Sequence, residues 1–234
     1  MNKTRQQTHE FFQAFGEKNL KKNREVVFCV PFTDMAIARE YADELGFTVG
    51  AQNFYPAKNG AFTGEISAEM LSEIGTKVVL VGHSERRAIF GETDAFINQK
   101  TSYGLENGLT VCLCIGETLE ERENGTTNAV LKNQLDIALK DIEVKTEGTL
   151  VVAYEPVWAI GTGKVATLEQ IAETHKFVRE TLDTMYPDTK IAILYGGSAN
   201  EKNATEILSI ENVDGVLVGG ASLDADKFAQ VINA

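Results

Sequence analysis

Nothing in this 234-residue chain is apolar for long enough to cross a bilayer, since no run approaches the roughly 18 residues that a membrane helix requires. The opening Met1 to Lys22 is polar and amphipathic and lacks the uninterrupted apolar stretch of a signal peptide, so a cytoplasmic location without a membrane partner is expected. Cysteine is scarce. Cys29, Cys112 and Cys114 each fall in an apolar, strand-like run where a thiol behaves as a small hydrophobe, and no further Cys or His pair completes a metal-binding spacing. Reduced core thiols and no metal are therefore expected. Basic residues are outnumbered, 22 Lys and Arg against 34 Asp and Glu, for a formal charge of −12. With no basic stripe, nucleic acid is not an expected partner. A small phosphate ester remains possible, because backbone N–H groups and helix N-termini can hold an anion locally. Linkers and low-complexity segments are also missing, which implies one compact domain over 1–234.

What is present is a repeat of short β-branched runs and amphipathic stretches. The strand-like runs are Val26 to Val30, Thr48 to Gln52, Lys77 to Val81, Thr110 to Ile115, Leu150 to Tyr154, Lys190 to Leu194 and Gly215 to Val218. Helical patterns cover Asp34 to Leu45, Ser67 to Ile74, Ala129 to Lys140, Thr167 to Met185, Asn200 to Leu208 and Asp224 to Ile232. Ser67, Thr167 with Gln170, and Asn200 are candidate helix caps. Runs such as Val78-Val79-Leu80-Val81, apolar at every position, fit a parallel sheet covered on both faces. Periodicity leaves a closed barrel and a doubly wound sheet both open. Unusually for a βα repeat, a helix pattern comes first, Thr4 to Phe15, with Phe11, Phe12 and Phe15 on one face.

Several segments carry chemistry. Glu155 ends an apolar strand and precedes Pro156, a setting that partly desolvates a carboxylate and makes it a better base near neutral pH; the plainer reading is a strand-end glutamate paired with an arginine. His83 follows the Lys77 to Gly82 strand directly and projects from its C-terminal end, where barrel active sites assemble. His9 and His175 sit in helical patterns among charged neighbours and read as surface residues. Glu85, Arg86 and Arg87 read equally as a solvated charge cluster. Gly197-Ser198 and Gly219-Gly220, one after each of the last two strands, offer backbone N–H groups that can approach a phosphate closely.

The segment Ala153-Tyr154-Glu155-Pro156-Val157-Trp158-Ala159-Ile160-Gly161-Thr162-Gly163-Lys164 closely resembles the catalytic strand end and hinged lid of the triosephosphate isomerase family. Gly82-His83-Ser84-Glu85-Arg86-Arg87, Cys114-Ile115-Gly116-Glu117, Tyr195-Gly196-Gly197-Ser198 and Gly215 to Ser222 match the same family in order. The resemblance implies a (βα)8 TIM barrel interconverting glyceraldehyde 3-phosphate and dihydroxyacetone phosphate without a cofactor. It implies Glu155 as proton shuttle, His83 as a neutral donor to the substrate oxygens and Glu85 in support. Gly161, Ser198, Gly219 and Gly220 would hold the phosphate, and Pro156 to Lys164 would be the lid. Gln52, Asn53 and Thr63, the last on a protruding Gly60 to Glu65 loop, would form a homodimer contact. Family members open with a strand carrying an asparagine and a lysine that reaches the substrate. Met1-Asn2-Lys3-Thr4 aligns just after that lysine, so its role is not carried to Lys3. The C-terminal residues hold no relocated copy. The expectation is an isomerase on a TIM barrel lacking its first β-strand, the alternative being a variant impaired or reduced to phosphate-ligand binding for want of that lysine.

Overall fold

The computed structural model describes residues 1–21 and 23–234; Lys22, which closes the polar opening segment, lies outside the described residues. The chain folds as a parallel α/β barrel sheet. In order it forms α1 (Arg5–Gly16), β1 (Val27–Val30), α2 (Met35–Leu45), β2 (Thr48–Ala51), α3 (Ala68–Glu73), β3 (Val78–Val81), α4 (Ser84–Ala88) and α5 (Asp94–Glu106). Then come β4 (Thr110–Ile115), α6 (Leu119–Glu123), α7 (Thr127–Ala138), β5 (Leu150–Tyr154), α8 (Leu168–Met185), β6 (Ala192–Tyr195), α9 (Ala204–Leu208), β7 (Gly215–Val216) and α10 (Ala225–Ile232).

The seven described strands lie side by side in sequence order, every neighbouring pair parallel. Successive strand residues point to opposite faces. Val79, Val81, Val111, Leu113, Val152 and Ile193 therefore join the cluster under the helices. Leu80, Cys112, Cys114 and Ala153 form a separate cluster on the other face, with Cys29, Val151 and Leu194 packed against it. All three cysteines are free. Burial pushes the Cys29 thiol pKa up, which keeps it protonated.

The opening helix is held from both sides. Thr4 caps α1 in a capping box with Gln7, and α1 packs against α2 and α10. Phe12 and Phe15 pack edge-on against Phe28 of β1 at 5.2 and 5.1 Å, while Phe12 stacks on Phe47 at 4.9 Å. Lys3 lies with its ammonium 4.8 Å from the Phe11 ring centroid.

Ser67 and Thr167 cap α3 and α8 as their spacing implies, Thr167 in a capping box with Gln170. Asn200 is not a cap. It accepts from the Lys202 N–H in a turn ahead of α9, whose N-cap is Asn203. One long helix, α5, has no counterpart in the apolar periodicity. Its buried face consists of Ile97, Lys100, Thr101 and Gly104, so half of it is polar.

Candidate active site

The singled-out His83, Glu155, Ser198 and Gly219-Gly220 each follow the C-terminal end of a strand, β3, β5, β6 and β7 in turn. At the end of β3, Gly82 adopts φ of +73°, a left-handed turn that costs glycine little, and His83 follows as the N-cap of α4. At the end of β5, Glu155 donates its N–H to the Ile115 carbonyl (2.7 Å) and keeps its side chain under cover at 2% exposure. The two side chains meet: His83 Nε2 lies 3.0 Å from Glu155 Oε1. The Ser84 N–H donates to Glu155 Oε2 at 2.9 Å.

The tautomer of His83 follows from its other contact. The Glu85 N–H donates to His83 Nδ1 (3.3 Å), so the ring hydrogen sits on Nε2 and faces Glu155. Burial pushes the imidazole pKa down, but the hydrogen bond and charge of Glu155, joined by Glu85, outweigh it and raise the value above that of an ordinary histidine. The Glu85 N–H opposes that rise, because it occupies the lone pair that a second proton would take. The Glu85 carboxylate itself is largely exposed, 4.0 Å from His83 Nδ1.

Two glycines give Glu155 its room. A Cβ on Gly196 would come within 2.8 Å of Glu155 Cγ, and one on Gly116 within 1.8 Å of the Glu155 carbonyl oxygen. Neither site admits a larger residue without displacing Glu155.

The lid segment leaves the same strand. Pro156 is buried, Val157–Ala159 form a 3-10 turn, and Ile160 continues extended into Gly161, Thr162, Gly163 and Lys164. Gly161 and Gly163 hold φ of +66° and +78°. Trp158 Nε1 donates to Glu117 Oε1 (2.8 Å), and the same oxygen accepts from the Tyr154 hydroxyl and Arg122, each at 3.1 Å. Ser198, half-buried just beyond β6, donates from Oγ to the Ala159 carbonyl (2.6 Å). The Pro156 to Lys164 segment and the Ser198 turn are thus in contact. Gly219 and Gly220 stand exposed beyond β7, which pairs with β6.

Gln52 and Asn53 bond to groups other than Glu155. The Gln52 side-chain amide donates to the Cys29 carbonyl, while Asn53 Oδ1 accepts from Lys100, which also binds Glu92 Oε1 at 2.7 Å. Arg86 joins Glu92 from the other side (2.6 Å), and together these groups line a hollow beside Phe90. Burial and the Arg86 charge lower the Lys100 pKa against the opposing pull of Glu92. Thr63 is exposed on its loop.

The sequence reading misplaces one histidine. His9 is exposed, its Nδ1 2.6 Å from the Tyr41 hydroxyl, but His175 is fully buried on the inner face of α8. Its Nδ1 bonds the Asn212 carbonyl at 2.9 Å, and the ring packs between Tyr154 and Tyr195. Spacing from Ile171 and Val178 was the available signal, masked by charged neighbours in sequence. Ser84, Arg87 and Glu117 also hold positions that no residue-by-residue reading assigned.

The family model for triosephosphate isomerase matches residues 1–234. The chain is 48% identical to the triosephosphate isomerase of Lawsonia intracellularis, over the whole of this chain and 94% of that relative. It is 46% identical to the enzyme of that name from Aquifex aeolicus, over 99% of this chain and 95% of the other. For the Nitratidesulfovibrio vulgaris triosephosphate isomerase the figures are 50%, 92% and 88%. With a parallel barrel sheet, a histidine and a glutamate in contact at its C-terminal rim, and these relatives, the chain belongs to the triosephosphate isomerase family.

Proposed function

We propose that this chain interconverts D-glyceraldehyde 3-phosphate and dihydroxyacetone phosphate by moving one proton between adjacent carbons through an enediol. The observation that carries the reading is the 3.0 Å contact between His83 Nε2 and Glu155 Oε1 at the strand-end rim. Glu155 acts as the base that removes the proton from one carbon and returns it to the next. His83, with its hydrogen on Nε2, donates to the substrate oxygens; Glu85 supports that end of the site.

In the described state Glu155 is engaged by His83 and by the Ser84 N–H, so it must turn away from both to reach a substrate carbon. Turning removes the larger of the two carboxylate influences that raise the His83 pKa and leaves only that of the exposed Glu85. Burial and the Glu85 N–H remain, and both favour the neutral imidazole that the donor role needs.

The phosphate group binds at Gly161, Ser198, Gly219 and Gly220, whose backbone N–H groups supply donors that an acidic chain lacks in its net charge. The lid from Pro156 to Lys164 closes over the site, with Trp158 and Ile160 as apolar cover. Excluding water protects an enediolate phosphate from losing its phosphate group. An acid–base pair suffices for this path, and the proposal assigns neither metal nor organic cofactor.

The protein acts in the cytoplasm as one domain over 1–234 and assembles as a homodimer. Support for the assembly comes from Phe62, on the Gly60 to Glu65 loop, and Phe90, which lines the hollow with Asn53, both large apolar side chains left exposed. In the dimer the Thr63 loop of a second copy fills the hollow beside Asn53.

A coupled assay of glyceraldehyde 3-phosphate turnover on the purified protein, with Glu155→Ala beside it, tests the reading. Turnover in the parent and a fall of at least about 10³ in the variant are expected. Equal rates would remove the proposal, and ligand binding without turnover in the parent would mark a phosphate binder instead.

A further inference from the structure

Arg86 and Arg87 are neighbours in the last turn of α4, yet they face different partners. Arg86 turns to Glu92 and the Phe90 ring, its guanidinium carbon 4.9 Å from the ring centroid. Arg87 turns inward. Its Nε donates to the Gly82 carbonyl (2.7 Å), its Nη2 to the Cys114 carbonyl (3.1 Å) and its Nη1 to the Asp94 carboxylate. One guanidinium therefore joins the end of β3, the end of β4 and the first residue of α5, with only 17% of its side chain exposed.

These contacts bear on the site because of what α4 does. With five residues it is far below the roughly 12 at which an isolated helix sustains itself. Nevertheless its first two N–H groups make the contacts that orient the acid–base pair, Ser84 to Glu155 Oε2 and Glu85 to His83 Nδ1. The carbonyl that Arg87 Nε holds belongs to Gly82, the residue directly before His83. The Cys114 carbonyl lies one residue before that of Ile115, which accepts the Glu155 N–H.

We propose that Arg87 is a positioning residue for His83 and Glu155, fixing α4 against the ends of β3 and β4 through the Gly82 and Cys114 carbonyls. The inference rests on the isomerase reading above. The role needs an arginine, since a lysine supplies the charge opposite Asp94 but not donors in three fixed directions.

Arg87→Lys and Arg87→Ala, assayed beside Glu155→Gln, test this. Both are expected to lower kcat about ten- to a hundredfold while KM stays within about threefold, the effect of misaligned catalytic groups and not of lost substrate contacts. Added guanidinium ion should restore part of the kcat of Arg87→Ala. Nitrogen-15 NMR of the His83 ring should show a single Nε2–H tautomer in the parent and a tautomer mixture in Arg87→Lys. Unchanged kcat and an unchanged tautomer, even with a lower melting temperature, would make Arg87 a purely structural residue and overturn the proposal. The ring signal is read without turnover, so a parent lacking Glu155-dependent activity would sink the isomerase reading while Arg87 is still judged by the tautomer.

Discussion

Glu155 is almost fully covered, with one carboxylate oxygen on the Ser84 N–H and the other on the His83 ring, and the proposed chemistry depends on that cover. Replacing the ring opposite it is a direct check: His83→Asn should lower kcat by about 10² to 10⁴ with a small change in melting temperature, as loss of a general acid does. His175 provides a different one. Burial, the largest influence, lowers its pKa, with Arg179 adding to the fall while the Asn212 carbonyl and Asp214 oppose it. On acidification the unfolded chain takes up that proton first. Stability from His175 is therefore full above about pH 6.5 and declines as the pH falls below it. His83, whose pKa is raised, works the other way: its contribution is present below about pH 6.5 and is lost as the pH rises through its folded value. The melting-temperature gap between the parent and His175→Asn should narrow between about pH 8 and pH 5; a constant gap would contradict the assignment. Chemistry at this scale was partly legible. His83 and Glu155 stood out because each follows an apolar strand. His175 and Lys100 did not, because burial is a property of the helix face, and the sequence neighbours are charged around His175 and polar around Lys100.

At the scale of the element, the structure shows why some units were readable and others were not. β4 and β5 keep the bounds read from sequence because both faces of these strands are buried and, after Thr110, the residues of β4 are all apolar, as are those of β5 but for the Tyr154 hydroxyl. β7 shortens to Gly215–Val216, since Leu217 and Val218 turn into the glycine corner. The helix α5 escaped notice because Lys100 and Thr101 occupy its inner face, each satisfied by a partner that lies elsewhere in the chain or a turn away. Where an element packs tightly, substitutions report on it. Phe12→Ala removes the ring that α1 lays on Phe28 and Phe47 and should cost about 3 to 5 kcal/mol of stability by chemical denaturation. Gly196→Ala should spare most of the stability but push Glu155 Cγ aside and cut kcat by about 10². A kcat equal to that of the parent would show that Glu155 has slack that the contact distances deny.

For the whole molecule, the order of strands follows the order of the chain, which is the property that brings His83 from β3 and Glu155 from β5 to one rim. Periodicity could not choose between a barrel and a doubly wound sheet, because both bury parallel strands on two faces; the motifs made the choice. Assembly is tested by mass: the parent should sediment as two copies, and Thr63→Arg should shift it towards one. The most direct measurement follows deuterium from solvent into dihydroxyacetone phosphate during incubation with the parent or with Glu155→Gln. Rapid labelling at the carbon that bears the hydroxyl is expected with the parent and essentially none with Glu155→Gln; labelling at the same rate in both would contradict a proton carried by Glu155.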